Sequence, residues 1–127
     1  MKKLTTVMMI LVMVALVSVN TGCKKRSYDI TGTWFFTVFI DGDAFEEQYT
    51  FIGSRFDGEV LYYGQPLGTY TVGGDSVNFT LTYYDEDNDY TIETYSGFFE
   101  DRDFMQGNFT IFIEGYGTFS GTWEAYR

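Results

Sequence analysis

Short runs of β-branched and aromatic residues recur along the chain from Gly32 onward, and clusters of Gly, Asp and Asn separate them. The clusters return about every 8 to 12 residues, a spacing typical of β-sandwiches and β-barrels. Each of the eight runs is predicted to form one strand. The predicted strands are Gly32 to Ile40, Ala44 to Ile52, Arg55 to Tyr63, Gly68 to Val72, Ser76 to Tyr84, Tyr90 to Glu100, Phe104 to Ile113 and Gly117 to Tyr126.

The segments between these runs are short enough to be hairpin turns. Consecutive hairpins produce an up-and-down meander, and an even number of strands lets the last strand pair with the first, which removes both sheet edges. A chain of 127 residues has room for one such core. The sequence therefore predicts an all-β fold, a single eight-stranded antiparallel up-and-down β-barrel over residues 32–127.

Apolar and polar residues alternate with a period of two in most runs, which predicts one buried and one solvated face per strand. The aromatic residues assigned inward are Trp34, Phe36, Phe45, Tyr49, Phe51, Phe56, Tyr62, Tyr70, Phe79, Tyr83, Tyr90, Phe98, Phe109, Phe119 and Trp123. Those assigned to the outer wall include Phe35, Phe39, Tyr84, Tyr95, Phe99, Phe104 and Phe112.

Glu47 is the one charged residue that the alternation points inward, near one end of the barrel, together with the hydroxyls of Thr94 and Ser96. A carboxylate in an apolar barrel has a raised pKa or a cationic partner, and a ligand can supply that partner. The alternative is a local bulge that turns Glu47 toward water. The candidate ligand contacts are Glu47, Tyr49, Tyr62, Tyr83 and Thr94.

The charged residues are unevenly distributed. All 18 acidic residues follow Ser27 but only three of the eight basic residues do, which gives this part of the chain a net charge of −15. Such a surface repels nucleic acid and attracts cations or basic proteins.

Alternate hairpins lie at opposite ends of a meander, so one end of the barrel is predicted to carry only acidic charges and the other to carry charges of both signs. The acidic end holds Asp41, Asp43, Asp85, Glu86, Asp87, Asp89 and Glu114, and the mixed end holds Arg55, Arg102 and Arg127.

The residue types exclude most catalytic chemistry. The chain has no His, a single Cys at position 23, and no Lys after position 25. Triads that use His, Cys nucleophiles, Ser-Lys pairs and His/Cys zinc sites are therefore excluded. Glu46 and Glu47 are adjacent on a predicted strand and point to opposite faces, so they cannot act together as acid and base. We expect no enzymatic activity and no cofactor.

Asp85, Asp87 and Asp89 present carboxylates at alternate positions of one predicted hairpin tip. Ca²⁺ requires several hard oxygen ligands around one ion, so these residues are a candidate metal site. The spacing of an EF-hand loop is not met, because Tyr90 and Ser96 stand where that loop has Gly and Glu. The alternative is a solvated tip that its acidic charge keeps soluble.

The N-terminal segment has the organisation of a secretory signal peptide, with two lysines at positions 2 and 3. The charge-free run from Leu4 to Val19 is shorter than the roughly 20 residues of a membrane span. Thr21-Gly22-Cys23 is similar to the end of the lipobox of bacterial lipoproteins. This resemblance covers the first 23 residues and implies cleavage before Cys23, lipidation of that Cys, and a membrane anchor.

The lipoprotein resemblance also predicts how the chain is divided. A signal peptide is expected over residues 1–22, and a lipidated Cys with a basic tether over residues 23–31. The expected location is the cell envelope, as an outer-membrane lipoprotein that faces the periplasm or the cell surface.

A Gly-Thr-Trp sequence occurs at the start of the first predicted strand and again in the last one, ending at Trp34 and Trp123. These two strands are neighbours in a closed meander, so both tryptophans are predicted to lie in one layer and to form the barrel floor. The arrangement resembles the lipocalin and avidin type of calycin barrel. The resemblance implies a lipocalin-like domain over residues 32–127.

Two functions are consistent with this sequence. The first is a lipid-anchored envelope protein that binds a small apolar or cationic ligand at the acidic mouth of a lipocalin-like barrel. The alternative is a non-enzymatic interaction or inhibitor lipoprotein whose filled barrel binds a basic protein through its acidic rim or outer aromatic surface. A cavity above about 300 Å³ would favour the first. A contiguous patch of exposed rings would favour the second.

Overall fold

The computed structural model describes residues 28–127, which form one antiparallel sheet closed into a barrel. The strands are β1 (Gly32–Ile40), β2 (Asp43–Gly53), β3 (Asp57–Tyr62), β4 (Gln65–Gly73), β5 (Ser76–Tyr84), β6 (Tyr90–Asp101), β7 (Phe104–Ile113) and β8 (Gly117–Tyr126). Each strand pairs with its neighbours in the chain, and β1 pairs with β8. The predicted signal peptide, Cys23 and the basic residues of the tether lie outside the described residues. Residues 28–127 contain no helix with the length and apolar character of a membrane span.

The predicted eight-stranded, up-and-down antiparallel barrel is confirmed. Tight hairpins explain why the order of the strands in the sheet follows the order of the chain. Asp41 and Gly42, and likewise Tyr63 and Gly64, adopt positive φ angles in succession. Two such residues make a type I′ turn, whose twist matches that of antiparallel strands.

The start of β4 differs from the prediction. The strand begins at Gln65 rather than at Gly68, because the turn from β3 uses only Tyr63 and Gly64. Pro66 lies in the segment that the sequence left between two predicted strands, and the pairing of β3 with β4 shifts register beside it. Proline is tolerated at such an irregularity because a regular ladder hydrogen bond is already missing there.

The predicted interior face of β6 is wrong. Glu93 and Tyr95 are buried, whereas Thr94 and Ser96 are exposed on the outer wall. The register of β5 with β6 pairs Phe79 with Tyr95, and the two rings stack inside the barrel with centroids 4.3 Å apart. Aromatic residues occur on both faces of β6, so alternation alone does not distinguish the faces.

Several other rings also differ from the prediction in their burial. Tyr95 and Phe99, which were assigned outward, are buried. Four rings assigned inward are exposed, namely Phe45, Phe56, Phe98 and Phe119. Two of these, Phe45 and Phe119, lie near the first residues of β2 and β8, where the end of the barrel is open to water.

A cluster of aromatic rings fills the central part of the barrel. Phe36 lies in the middle of it and contacts Tyr49, Phe79 and Trp123 at centroid distances of 5.1, 5.6 and 5.2 Å. Stacked and edge-to-face pairs at such distances add to the free energy of burial. The barrel is therefore solid at its centre.

The end away from the acidic turns is closed by the residues that precede β1. Ile30 is fully buried, and its carbonyl accepts a hydrogen bond of 2.8 Å from Trp34 Nε1. The Arg127 guanidinium lies 4.3 Å above the Trp34 ring and donates to the carbonyls of Asp29 and Thr31. Trp34 therefore lies at the floor of the barrel.

Trp123 occupies a different layer from Trp34, so the prediction of a single tryptophan layer is wrong. Trp34 packs edge-on against Phe99, whereas Trp123 packs against Tyr95. Those two partners are four residues apart on β6, which separates the indoles along the barrel. Trp123 belongs to the central ring cluster.

Candidate ligand pocket at the acidic end of the barrel

A pocket of about 730 Å³ lies at the end of the barrel that carries the acidic turns. The central ring cluster closes it from below, since Tyr49 both lines the pocket and contacts Phe36. Its lining includes four acidic side chains, Glu47, Asp85, Glu86 and Glu93, and four tyrosines, Tyr49, Tyr62, Tyr83 and Tyr84. None of the described residues that line it is basic.

The irregular pairing of β3 with β4 shapes one wall of this pocket. The register shifts between Val60 and Leu61, and such a bulge bends the strand and increases its twist. Tyr62, which precedes the Tyr63-Gly64 turn, and Leu67, which follows it, both line the pocket. A tight turn and a bulge thus place one tyrosine and one apolar side chain at the mouth.

Glu93 lies at the base of the pocket and is only 8% exposed. Its Oε1 accepts a hydrogen bond of 2.7 Å from the Tyr95 hydroxyl and a longer one of 3.5 Å from the Tyr49 hydroxyl. Its Oε2 accepts a hydrogen bond from the Tyr83 hydroxyl. The Tyr49 and Tyr95 oxygens are themselves 3.1 Å apart. We call Glu93 with Tyr49, Tyr83 and Tyr95 the Glu93 cluster.

The three phenols of the Glu93 cluster keep their protons. Burial is the first cause that raises the pKa of Tyr49 and of Tyr83, and the nearby charge of Glu93 is the second. Burial likewise raises the pKa of Tyr95 well above its ordinary value of 10.0. Each O–H group is therefore a donor at neutral pH, and Glu93 is the acceptor that all three share.

Glu47 faces the Glu93 cluster from the other side of the barrel. It lies on β2 and Glu93 on β6, four strands apart in a ring of eight. Burial raises the pKa of Glu47, a hydrogen bond from Tyr62 opposes that rise, and the charge of Glu93 adds to it. Tyr62 in turn has its pKa raised to about 12, first by burial and then by its bond to Glu47.

The site therefore combines carboxylates with aromatic faces. Carboxylates without basic partners attract positive charge, and tyrosine rings offer apolar area and a negative face. The pocket is above the size of about 300 Å³ at which small-molecule sites begin. Such a surface is suited to binding a small molecule.

The structure brings four of the five candidate ligand contacts together. Glu47, Tyr49, Tyr62 and Tyr83 all line the pocket. Thr94 does not, because it lies on the outer face of β6. The sequence analysis did not find Glu93, because it assigned the wrong face of β6 to the interior. The signal that could have found it is the spacing of Tyr95 and Phe99 on one face, which places Glu93 on the same row.

The three aspartates of the candidate metal site also lie together, with one carboxylate oxygen of each within 4.8 Å of the others. Asp85 Oδ1 already accepts the backbone N–H groups of Asp87 and Asp89, at 2.9 and 2.8 Å. That oxygen thus stabilises the turn itself. Burial and the neighbouring acids raise the pKa of Asp89. Calcium binding at this tip stays a prediction.

Comparison with known proteins identifies the fold. No family model matches the sequence, and no curated protein matches it. A redesigned β-barrel is similar at 19% identity with a TM-score of 0.59, over 77% of this chain and 90% of its own. At these levels the similarity concerns the fold, an eight-stranded antiparallel β-barrel.

Two further solved barrels contain a bound small molecule. A redesigned β-barrel, mFAP1, was solved with DFHBI bound and is 21% identical, with a TM-score of 0.59 over 77% of this chain and 94% of its own. EF1p2_mFAP2b, also solved with DFHBI bound, is 16% identical, with a TM-score of 0.61 over 77% of this chain and 93% of its own.

Proposed function

We propose that this protein is a non-catalytic, lipid-anchored binding protein of the cell envelope, which holds a small molecule in the pocket at the acidic mouth of its barrel. The observation that carries the proposal is the pocket of about 730 Å³, into which the Glu93 cluster and Glu47 converge. A large pocket with a few convergent polar groups is the usual form of a ligand site.

The solved barrels that contain DFHBI support the proposal by analogy. Two proteins with the same arrangement of strands hold a small molecule, so the architecture is compatible with ligand binding. The identity of that dye carries no information about the ligand of this protein, because the pocket residues decide specificity and the fold does not.

Residue chemistry supports the non-catalytic part of the proposal. Without His, and with its only Cys in the predicted lipobox, the chain lacks His-activated and Cys nucleophiles and any imidazole for proton transfer. Of the pocket carboxylates, Glu93 accepts hydrogen bonds from protonated phenols, and Asp85 accepts backbone N–H groups of its own turn. Binding is the simplest use of such groups.

Native mass spectrometry tests the binding function. The full chain is produced in a bacterium that processes lipoproteins, extracted in mild detergent, and its native mass is compared with its denatured mass. A small molecule that is retained in the native state and released on denaturation is the expected result. An unliganded protein that also takes up nothing from a metabolite extract would contradict the proposal.

Metabolic labelling tests the lipid anchor. Cells supplied with an alkyne-tagged fatty acid are expected to label the wild-type chain and not the Cys23→Ser variant. The wild-type protein should fractionate with membranes. Equal labelling of both chains, or none of either, would remove the lipoprotein part of the proposal and leave the pocket unaffected.

An interaction protein is the second candidate, and the outer wall favours it. Phe35 on β1 pairs with Tyr126 on β8, which pairs in turn with Phe104 on β7. Phe35 and Tyr126 are 49% and 50% exposed. Contiguous exposed rings mark protein-binding surfaces. Loss of a co-purifying protein from the Phe35→Ser variant, with the pocket ligand retained, would support this function.

A further inference from the structure

We propose that the ligand is a protonated organic amine, with its ammonium group between Glu47 and Glu93 and its apolar part against the tyrosine rings. This inference rests on the proposed binding function and names the class of ligand. It follows from the charge, the geometry and the hydrogen-bonding capacity of the pocket.

The charge of the pocket has no counter-charge among residues 28–127. Four acidic side chains line the pocket, and the three basic residues of the described chain are all arginines. Arg55 lies between β2 and β3, Arg102 between β6 and β7, and Arg127 covers the floor, all at the opposite end. A cation at the mouth would therefore gain from every acidic group of the lining, whereas an anion would be repelled.

The geometry places two carboxylates around one space. Tyr49 on β2 reaches across the barrel to Glu93 on β6, so the wall that carries Glu47 and the wall that carries Glu93 meet at the base of the pocket. The charge of Glu93 acts on Glu47 across that space. A single positive group between them would relieve their repulsion, and neither carboxylate would need to move out of the barrel.

The hydrogen-bonding capacity at the base favours a ligand that donates. The phenol hydrogens of Tyr83 and Tyr95 are used by Glu93, and that of Tyr62 by Glu47. At the base, the groups left for a ligand are the remaining lone pairs of the carboxylates, which only accept. The donors Gln65 and Tyr84 stand at strand ends, at the mouth of the pocket. An ammonium with N–H donors satisfies them, whereas a neutral carbonyl compound would place acceptor against acceptor.

The tyrosines provide the second part of the binding surface. Tyr83 and Tyr84 line the pocket on one side and Tyr62 on another. A cation within about 6 Å of an aromatic face is attracted to it, and the apolar remainder of an amine gains from contact with the rings. An alkyl or aryl amine satisfies both kinds of group, which a metal ion does not.

A matched series of probes tests the inference by titration calorimetry on the full chain in detergent, with a detergent-only blank. The probes are 4-phenylbutylamine, 4-phenylbutanol and 5-phenylpentanoate, which share one apolar part and differ in charge. The amine is expected to bind at least tenfold more tightly than the alcohol, and the carboxylate not to bind. Equal binding of the amine and the alcohol would overturn the amine proposal and leave the binding pocket standing. Binding of no probe would contradict both.

Paired variants locate the amine. Glu47→Gln is expected to weaken amine binding about tenfold and to leave the alcohol unchanged. Glu46→Gln, one residue away on the outer face of the same strand, removes the same charge outside the pocket and should change neither. An equal loss for both variants would mean that only the overall field attracts the amine, which contradicts the assigned position. Near-ultraviolet circular dichroism confirms that each variant keeps its packed rings.

Discussion

A buried carboxylate is normally paired with a basic side chain, and Glu93 is paired with phenols instead. Burial of a charge without compensating hydrogen bonds carries a large free-energy cost. Tyr83 and Tyr95 each donate to one of its two oxygens, and Tyr49 adds a longer contact. The Glu93 cluster is therefore a network in which every member depends on the same acceptor.

Removal of that acceptor should destabilise the fold. In Glu93→Ala, the Tyr83 and Tyr95 hydroxyls lose their partner, and an unsatisfied buried hydroxyl costs about 1–3 kcal/mol. We expect urea denaturation to show a loss in that range. Thr94→Ala, on the exposed face of the same strand, should change the free energy of unfolding by less than about 0.5 kcal/mol. Equal losses for the two variants would mean that the hydrogen bonds of Glu93 contribute nothing net.

The raised pKa of Glu47 predicts a pH-dependent stability. Folding raises this pKa above its ordinary value of 4.5 through burial and the charge of Glu93, while Tyr62 opposes the rise. The folded protein therefore holds this proton more tightly than the unfolded chain does. The resulting stabilisation is complete below the ordinary pKa and is lost as the pH rises through the raised one.

The Glu47→Gln variant isolates this effect because it cannot ionise. Its Tm should exceed that of the wild type increasingly as the pH is raised from 4 to 8, since the wild type alone must charge a half-buried group facing Tyr49, Tyr62, Tyr83 and Glu93. Glu46→Gln is the control and should show no such trend. Parallel curves for wild type and Glu47→Gln would show that Glu47 keeps its ordinary pKa.

At this scale the sequence predicts about half of the site. Alternation on β2 and β5 is clean, so Glu47, Tyr49 and Tyr83 are found from the residues alone. Glu93 is not found, because β6 carries rings on both faces and only its pairing with β5 decides which face is inside. Which residue of a strand lies inside thus depends on a neighbouring strand, which local sequence does not contain.

At the scale of strands, two glycines make room for the central ring cluster. Gly97 on β6 and Gly107 on β7 are register partners, and Gly107 also pairs with Trp123 on β8. A Cβ on Gly97 would lie 2.7 Å from the Trp123 indole and 2.2 Å from the carbonyl oxygen of Gln106. The absence of a side chain at Gly97 thus leaves the space that the Trp123 indole occupies.

Substitution of one of these glycines should therefore be costly. Gly97→Ala forces the indole or the backbone to move, and overpacking of this kind costs about 1–3 kcal/mol. Gly73→Ala is the control, since a Cβ there meets no atom within 4 Å. Thermal denaturation is expected to show a lower Tm for the first variant and an unchanged or slightly higher one for the second. The opposite order would mean that β6 and β7 are not held close together.

The strand order is predictable from the sequence because it depends on local signals. Turn residues such as Asp41-Gly42 leave room only for hairpins, and hairpins in series can give only a meander. The start of β4 is less predictable, because Pro66 indicates a loop and only the register shift of β3 accommodates it. Element type thus follows from composition, whereas element ends depend on tertiary pairing.

At the scale of the whole molecule, the barrel is electrically polarised. The arginines lie at the closed end, where Arg127 contacts Trp34, and the charged residues that line the pocket at the open end are all acidic. Like charges at one end repel each other in the folded state and separate on unfolding. The net charge of −15 after Ser27 is therefore a destabilising term for the compact barrel.

Salt should reveal this repulsion in the whole protein. The screening length falls from about 30 Å at 0.01 M to about 10 Å at 0.1 M, so the acidic groups of the mouth act on each other less as salt is added. We expect Tm at pH 7 to rise between 0.01 and 0.5 M NaCl, and the rise to shrink at pH 4, where many carboxylates are protonated. An organic ammonium chloride at the same ionic strength as the sodium chloride provides equal screening and differs only in its cation, so the comparison separates screening from cation binding. A Tm that responds to the ammonium salt well beyond sodium would indicate occupancy of the mouth, and a Tm that ignores every salt would contradict the repulsion.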